Sequence, residues 1–145
     1  MNTTNTLYEN AFDLANERAV AVAVAEAWGC RMFRFGKLAR IDYAAVKDDR
    51  IHFLAEIKCR TCSSARYEKT DISALKFCEL ISSENKFGVP AILFIRFTDS
   101  LLWARPARAS EVSFLEKSRP DKAGSMLLAA IPLENFKNVE RGAYD

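Results

Sequence analysis

Three ionisable residues interrupt two otherwise apolar stretches of the sequence. Asp42 lies in the stretch ARIDYAAV, and Glu56 and Lys58 lie in RIHFLAEIK, which follows after the short polar turn KDDR. Both stretches have the composition of strands. A buried carboxylate or ammonium group costs several kcal/mol unless it is paired or binds an ion. A charge partner or a bound ion is therefore expected at these three residues.

The register of the predicted hairpin decides whether the two acids share a face. Residues i and i+2 of a strand point to the same side, so Glu56 and Lys58 lie side by side. With the loop centred on Asp49, antiparallel pairing places Asp42 directly opposite Glu56, with Cβ atoms about 5 Å apart. A loop centred between residues 48 and 49 would instead place the acids on opposite faces.

A divalent cation between the two carboxylates accounts for this arrangement. Mg²⁺ binds oxygen ligands, retains several waters and commonly uses one or two carboxylates. Asp42 and Glu56, with the backbone carbonyl of Ile57, form such a ligand set for Mg²⁺ or Mn²⁺. Lys58 lies beside the metal, where it orients or deprotonates a water and stabilises the charge of a phosphorane-like transition state. A plain ion pair between Glu56 and Lys58 is the alternative.

The elements that must position these residues alternate in type along the chain. The predicted elements are a helix at 7–28, strands at 30–35, 39–46 and 50–58, a helix at 71–87 and a strand at 91–97. Gly29 is expected to stop the first helix, and Asp71 or Thr70 to cap the second. The order α–β–β–β–α–β predicts an α/β fold with a mixed central sheet flanked by helices.

The C-terminal part of the chain has weaker patterns. The segment LLWARP is predicted to pair with strand 91–97 as a hairpin across TDS. A short helix at 109–117 and a strand at 126–131 are expected beyond Pro106. We interpret residues 1–145 as a single domain, with a core at about 9–105 and additions at 106–145.

Charge is unevenly distributed along a chain whose formal net charge is only +2. Residues 30–69 hold ten Lys and Arg against five acids, whereas residues 70–145 balance at ten each. A positive middle third is typical of a polyanion site, and a solvated basic face is the alternative. The N-terminus has no secretory signal, no run spans a bilayer, and four cysteines without an export signal favour a cytoplasmic location.

The residues of the hairpin resemble the signature of a known nuclease superfamily. Asp42, thirteen intervening residues and Glu56-Ile57-Lys58 look like the D…(D/E)-x-K motif of the PD-(D/E)XK nucleases. That superfamily has a restriction-endonuclease-like core of αβββαβ order, and the resemblance spans about residues 9–105. Ile41 stands where the motif has proline. The resemblance implies a Mg²⁺-dependent nuclease that hydrolyses DNA phosphodiester bonds.

Within the superfamily, the chain is most similar to small Holliday-junction resolvases and their relatives in phages and mobile elements. Those proteins carry a Glu-Arg pair in the first helix, and NERAV places Glu17 and Arg18 there. The resemblance implies that Glu17 is a further metal-site carboxylate; an exposed helix acid is the alternative. It also implies a junction or branched DNA substrate, leaves a homodimer open, and implies the host cytosol for a phage-encoded protein.

Four further residues are candidates for contact with DNA. Lys76 and Tyr67 resemble polar positions that line the site or the DNA groove in related nucleases. Arg60 and Arg66, on the loop after the catalytic strand, are suited to bidentate hydrogen bonds with phosphate. Ordinary surface positions are the alternative for all four.

The motif Cys59-Arg-Thr-Cys62 allows competing interpretations. A thioredoxin-type redox site requires a helix directly after the motif, and SSARYEKT has the composition of a loop. A zinc or iron–sulfur site needs four ligands, and Cys30 and Cys78 lie in predicted core elements. Buried free thiols are therefore expected.

The sequence predicts a metal-dependent deoxyribonuclease. One alternative is a protein that keeps the nuclease fold but not the reaction and serves as a DNA-binding or regulatory module. A second is an interaction domain whose basic centre binds an acidic partner. Endonuclease and exonuclease action are not distinguished by these residues.

Overall fold

The computed structural model describes residues 6–36, 40–118 and 124–141 of the chain. Within these ranges, two α-helices, nine strands and three short 3-10 helices follow one another along the sequence. The α-helices and strands are α1 (Thr6–Trp28), β1 (Arg31–Arg34), β2 (Tyr43–Lys47), β3 (Arg50–Cys59), β4 (Lys69–Ser73), α2 (Ala74–Phe87), β5 (Ala91–Arg96), β6 (Leu101–Ala104), β7 (Ser113–Ser118), β8 (Ser125–Pro132) and β9 (Lys137–Asn138). No helix in the described ranges is both long and apolar enough to cross a membrane.

Helix α1 confirms the predicted first helix. Its sequence lacks glycine and proline and is rich in alanine and other strong helix formers. Gly29 follows in the left-handed conformation with φ 64°, and the Cys30 N–H donates to the Ala25 carbonyl at 3.2 Å. Val24 and Trp28 lie on the face of α1 that packs against the sheet.

The central sheet has six strands in the order β1-β2-β3-β5-β6-β9. β3 and β5 are parallel, and the other neighbours are antiparallel. A parallel pair needs a crossover connection, which α2 provides between β3 and β5. α1 packs on one face of the sheet, and α2 packs on the other. The mixed sheet flanked by helices is the fold class that the sequence predicted.

The β2–β3 hairpin combines a tight turn with a change of register. Asp48 and Asp49 form the turn with φ 53° and 60°, so the loop is centred between them. A regular hairpin with this turn would place Asp42 and Glu56 on opposite faces. However, β3 has one extra residue, His52, between the paired positions Ile51 and Phe53.

This β-bulge shifts the pairing by one residue. Beyond it, Tyr43 pairs with Ala55, and continuation of that register places Asp42 opposite Glu56. The predicted centre of the loop was wrong, whereas the predicted register at the acids is the one observed. The different loop centre shifts the register by one residue from the expectation, and the bulge at His52 shifts it back by one.

A second sheet of three antiparallel strands, in the order β4-β8-β7, packs against α2 through Ile72, Ala129 and Ile131. β4 includes the residues that were expected to cap the helix. α2 instead begins at Ala74, after the N-cap residue Ser73, so both predicted caps were wrong.

The helix expected at 109–117 was also wrong. β7 occupies Ser113–Ser118 and pairs with β8 along its whole length. Its glutamate, lysine and leucine favour a helix in isolation, but pairing with β8 overrides that preference. The predicted strand at 126–131 is confirmed as β8, and the β5–β6 hairpin is confirmed.

The core beneath α1 is aromatic. The Trp28 ring lies 5.5 Å from Phe53, 5.3 Å from Phe94 and 5.4 Å from Trp103, measured between ring centroids. The indole N–H of Trp28 donates to the carbonyl of Val139 at 3.1 Å. The C-terminal part of the described chain therefore closes this side of the core.

Candidate active site

Glu56 is a buried carboxylate in the middle of the central sheet. It lies on β3, and its residue surface is 2% exposed because α2 covers this face of the strand. Lys58 Nζ is 3.5 Å from its Oε2, and Lys76 Nζ is 3.4 Å from its Oε1. Two lysines from different elements thus face one carboxylate, which accounts in part for its burial.

Asp42 approaches the same place from the start of β2. Its Oδ2 accepts a hydrogen bond from the backbone N–H of Ile57 at 3.1 Å. Its own carbonyl accepts from the N–H of Phe35 at 2.9 Å, which ties the segment before β2 to the end of β1. The Asp42 carboxylate is therefore directed at the peptide that joins Glu56 to Ile57.

The electrostatics of the pair are unfavourable for two charges. Burial, followed by repulsion from Asp42, raises the pKa of Glu56 to about 7, although Lys76 and Lys58 oppose the shift. Within the described residues, Glu56 Oε1 has no hydrogen-bond partner of good geometry. A carboxylate with an unsatisfied buried oxygen next to a second carboxylate is suited to a cation.

The donor set fits a hard divalent ion. The carboxylates of Asp42 and Glu56 and the peptide of Ile57 supply only oxygen ligands, which Mg²⁺ prefers. No three His, Cys, Asp or Glu side chains within the described ranges are arranged to hold one ion together. Asp42 and Glu56 alone would leave most coordination positions to water and substrate, as is usual for Mg²⁺.

Glu17 lies on α1, on the opposite side of β2 from Asp42. The charge of Glu17 interacts with Tyr43, whose side chain packs in the core beneath α1. Burial, and then the charge of Glu17, raise the pKa of the Tyr43 phenol, and Asp42 contributes in the same direction. The structure therefore brings Glu17 near Tyr43 rather than into contact with Glu56, and its role as a metal ligand stays a prediction.

Lys76 belongs to the site itself. The Ser73 side chain caps α2 by accepting the backbone N–H of Lys76 at 3.1 Å, which orients the first turn of the helix. The Lys76 ammonium donates to the carbonyl of Arg40 and lies 3.5 Å from Glu79. Lys76 thus connects α2, the segment before β2, and the Glu56 carboxylate.

The other predicted DNA-contact residues lie beyond the end of β3. Arg60 lies two residues after Lys58, and its guanidinium donates to the carbonyl of Asp71 at 2.6 Å. The guanidinium of Arg66 lies 5.5 Å from the centre of the exposed Tyr67 ring. These three residues line a groove next to the site rather than contacting Glu56.

Sequence reasoning missed two participants. Glu79 is half-buried beside Lys76, and it follows Lys76 by three residues, a helical spacing that places both on one face of α2. Tyr43 is buried, and the described residues offer its hydroxyl no hydrogen bond. A tyrosine directly after the conspicuous Asp42 was the available signal for the second of these.

The Cys-x-x-Cys motif does not form a joint site. Cys59 packs against the core beneath α1, whereas Cys62 packs against the core on the α2 side. None of the four cysteines forms a disulfide. The expected burial was wrong, because Cys30, Cys59 and Cys62 are half-buried and Cys78 is exposed.

Comparison with known proteins identifies the fold and the family. The fold is that of restriction-endonuclease-like nucleases: the structure of Hjc, a Holliday junction resolvase from the archaeal hyperthermophile Archaeoglobus fulgidus, matches with a TM-score of 0.52 and 16% identity over 77% of this chain and 78% of that chain. A family model described as "Phage putative PDDEXK endonuclease" matches residues 3–139. The chain belongs to this family of phage PD-(D/E)XK endonucleases. No curated protein matches it.

Proposed function

We propose that the protein is a divalent-metal-dependent deoxyribonuclease that hydrolyses DNA phosphodiester bonds. The observation that carries the proposal is the buried Glu56 carboxylate, which has Asp42 opposite it and Lys58 on the same face of β3. Burial raises the pKa of Glu56 to about 7, and the charge of Asp42 adds to the shift, so a purely structural glutamate would gain nothing from this second acid. Membership of a nuclease family supports the same conclusion.

In this proposal Asp42, Glu56 and the carbonyl of Ile57 hold Mg²⁺ or Mn²⁺. The bound ion supplies positive charge that polarises a phosphate and lowers the pKa of a water molecule. The hydrogen bond from the Ile57 N–H orients Asp42 before substrate arrives. The partly exposed Lys58 ammonium holds the attacking water and stabilises the negative charge that develops on the phosphate.

Lys76 acts on the carboxylate rather than on the phosphate. Its ammonium is less exposed than that of Lys58 and is shared between Glu56 and Glu79. This contact favours the ionised form of Glu56, the form that binds a cation. Glu17 is the proposed further metal-site carboxylate, carried by α1.

Junction or branched DNA is the proposed substrate. The fold is shared with a protein described as a Holliday junction resolvase, and the basic segment at 30–69 includes β3 and the groove beyond it. Backbone-directed binding needs this kind of local positive charge and little sequence readout. A phage-encoded enzyme of this type would act on DNA in the host cytosol.

The test is cleavage of a panel of branched, linear and circular DNAs by purified protein with Mg²⁺ or Mn²⁺. We expect metal-dependent products that disappear with EDTA, and a loss of about 100-fold or more in rate for Lys58→Ala and Asp42→Ala. Lys86→Ala is the matched control, because it removes one exposed lysine near the end of α2, outside the basic segment at 30–69.

Two results would contradict the proposal. Wild-type rates in a folded Lys58→Ala protein would remove the assigned chemistry. Absence of cleavage of every DNA with either metal, together with retained DNA binding, would favour an inactive nuclease fold that serves as a binding module. Circular dichroism of each variant shows whether the fold is intact.

A further inference from the structure

A groove of about 1360 Å³ lies between the loop after β3 and the outer face of the second sheet. Its floor is apolar and includes Met126 and Leu128 of β8, with Leu133 beside them. The register of β7 and β8 places Lys117 opposite Met126, so a lysine borders this floor. The groove is formed by elements outside the αβββαβ core.

The rim of the groove is positively charged. Arginines and lysines come from three separate elements: the loop after β3, β4 and β7. They are Arg60, Arg66, Lys69 and Lys117, against the two acids Glu68 and Asp71. Cationic side chains from separate elements on one concave surface are suited to a polyanion.

The loop wall of the groove is held in place by hydrogen bonds. Asp99, in the β5–β6 turn, accepts from both the N–H and the hydroxyl of Ser64 at 2.9 Å each. The N–H of Thr98 donates to the carbonyl of Cys62 at 3.0 Å. This wall is therefore preorganised, which lowers the entropic cost of binding.

An aromatic ring is presented on the same wall. Tyr67 is 60% exposed, and the guanidinium of Arg66 lies 5.5 Å from its ring centre. An exposed aromatic ring beside arginines is the element on which unpaired bases stack in proteins that bind single strands.

The groove lies beyond the C-terminal end of β3, the strand that carries Glu56 and Lys58. Arg60 has the same strand parity as Glu56 and Lys58, because its N–H donates to the Arg96 carbonyl and extends the β3–β5 ladder. Four residues of strand span roughly 13 Å, so the groove begins about that far from Glu56. A DNA strand bound at Glu56 can therefore reach Arg60 without leaving the surface.

We infer that this groove binds an unpaired DNA strand that extends from the site of cleavage. A duplex exposes charged phosphates and hides its bases, so it would leave the apolar floor uncovered. A single strand offers both phosphates for the cationic rim and base faces for Met126 and Tyr67. The inference rests on the proposed function. It implies that the preferred substrates are branched DNAs with a flap or a splayed arm.

The experiment measures binding in EDTA, so that no cleavage occurs. A fluorescein-labelled oligothymidylate and a duplex of equal length are titrated by anisotropy with wild type, Tyr67→Ala, Tyr67→Phe and Lys117→Ala. We expect Tyr67→Ala and Lys117→Ala to lower the affinity for the oligothymidylate relative to the duplex by about fivefold or more, and Tyr67→Phe to retain it. Lys86→Ala, at an exposed position outside both residues 30–69 and the groove, serves as the charge-matched control.

Equal losses on both DNAs, or no loss on either, would overturn the inference, as would equal displacement of the oligothymidylate by polyglutamate. A cleavage assay with Mg²⁺ separates this failure from that of the proposed function. If no DNA is cut while the variants still lose oligothymidylate binding, the nuclease proposal fails and the groove stands. If duplex is cut and the variants show no selective loss, only the groove fails.

Discussion

Two glutamates of this protein show what distinguishes a structural carboxylate from one suited to chemistry. Arg105 binds Glu84 through two hydrogen bonds of 2.7 and 3.0 Å, and the Ala91 N–H adds a third at 3.0 Å. Although burial opposes it, these bonds hold the pKa of Glu84 below its ordinary value. Glu56 has only lysines at 3.4–3.5 Å and a neighbouring acid, and its pKa is raised.

The raised pKa predicts that Glu56→Gln stabilises the metal-free protein above pH 7. The folded state holds the Glu56 proton up to about pH 7 and the unfolded state only to about 4.5. Protonated Glu56 therefore contributes its full share of the folding free energy below pH 4.5. As the pH rises through 7, the protein loses about 3 kcal/mol of this stability. Urea unfolding in EDTA at pH 5 and pH 8 measures the difference between variant and wild type.

Glu84→Gln is the matched control, and it should act in the opposite direction. Its pKa is lowered, so its contribution is present above the unfolded pKa, and the variant should be less stable than wild type at pH 8. If Glu56→Gln destabilises the protein at pH 8 as Glu84→Gln does, Glu56 is an ordinary paired carboxylate.

Lys76→Met is predicted to destabilise the metal-free protein at pH 8 by about 1–3 kcal/mol, because it leaves the ionised Glu56 with one lysine instead of two. The loss should shrink at pH 5, where Glu56 is protonated in the folded state. Urea unfolding at the two pH values checks this. Lys86→Met, an exposed position on the same helix, should change stability by less than about 0.5 kcal/mol at either pH. A loss for Lys76→Met that is independent of pH would place its role elsewhere.

At the scale of elements, the β2–β3 hairpin determines whether the two acids meet. The turn at Asp48 and Asp49 has the positive φ angles of a two-residue hairpin loop, and the extra residue His52 then restores the pairing that brings Asp42 to Glu56. The bulge therefore lies between the turn and the site. It allows the two-residue turn to form while Asp42 still pairs with Glu56.

This separation predicts that Asp49→Gly stabilises the protein without changing the site. Asp49 has φ 60°, which glycine adopts without the steric cost of a side chain, so a gain of about 0.5–1 kcal/mol is expected. Thermal unfolding measures the gain, and cleavage should be unaffected. Ser113→Gly, in strand β7, is the contrasting control and should lose a similar amount. A destabilised Asp49→Gly would mean that the carboxylate itself holds the turn.

At the scale of the whole molecule, the fold adds cations from later elements to those of residues 30–69. Lys76 of α2 joins Lys58 at Glu56, and Lys117 of β7 joins the arginines of the groove. The remainder of the chain is acidic or balanced. The electrostatic field is therefore directional although the net charge is only +2.

A directional field predicts strong salt dependence of DNA binding. If the four cations of the groove rim neutralise about four phosphates, affinity should fall about 100-fold between 50 and 200 mM salt. Anisotropy titrations in EDTA across this range give the slope of log affinity against log salt concentration. Lys117→Ala should reduce this slope by the amount that corresponds to about one neutralised phosphate. A slope near zero would contradict electrostatic binding by this surface and favour an interaction domain for another partner.

The candidate site could be predicted from the sequence because it depends on local rules. The period of two along a strand places Glu56 beside Lys58, and hairpin pairing places Asp42 opposite. The bulge at His52 was not predictable, since nothing in its residue type distinguishes it from a regular strand position. The predicted pairing of Asp42 with Glu56 was correct only because this bulge offsets the wrongly predicted centre of the loop.

Features that depend on tertiary packing were out of reach of the sequence. The contact of Lys76 with Glu56 depends on how α2 rotates against the sheet, which local spacing does not determine, so only the resemblance to related nucleases indicated Lys76. β4 was missed because KTDIS has polar residues in a strand that is stabilised by pairing with β8. β7 was assigned as a helix for the same reason, since its partner lies in a different part of the chain.

The hydrogen bond from Trp28 to Val139 has a consequence for the synthesis of this protein. The two residues are 111 positions apart, and Val139 is buried over the aromatic core. A nascent chain carries Asp42, Glu56 and Lys58 long before it carries residue 139, so the candidate site emerges from the ribosome while α1 still lacks its contact with Val139. We expect truncated translation products to be loosely folded and short-lived, which would restrict any DNA-cutting capacity to finished molecules.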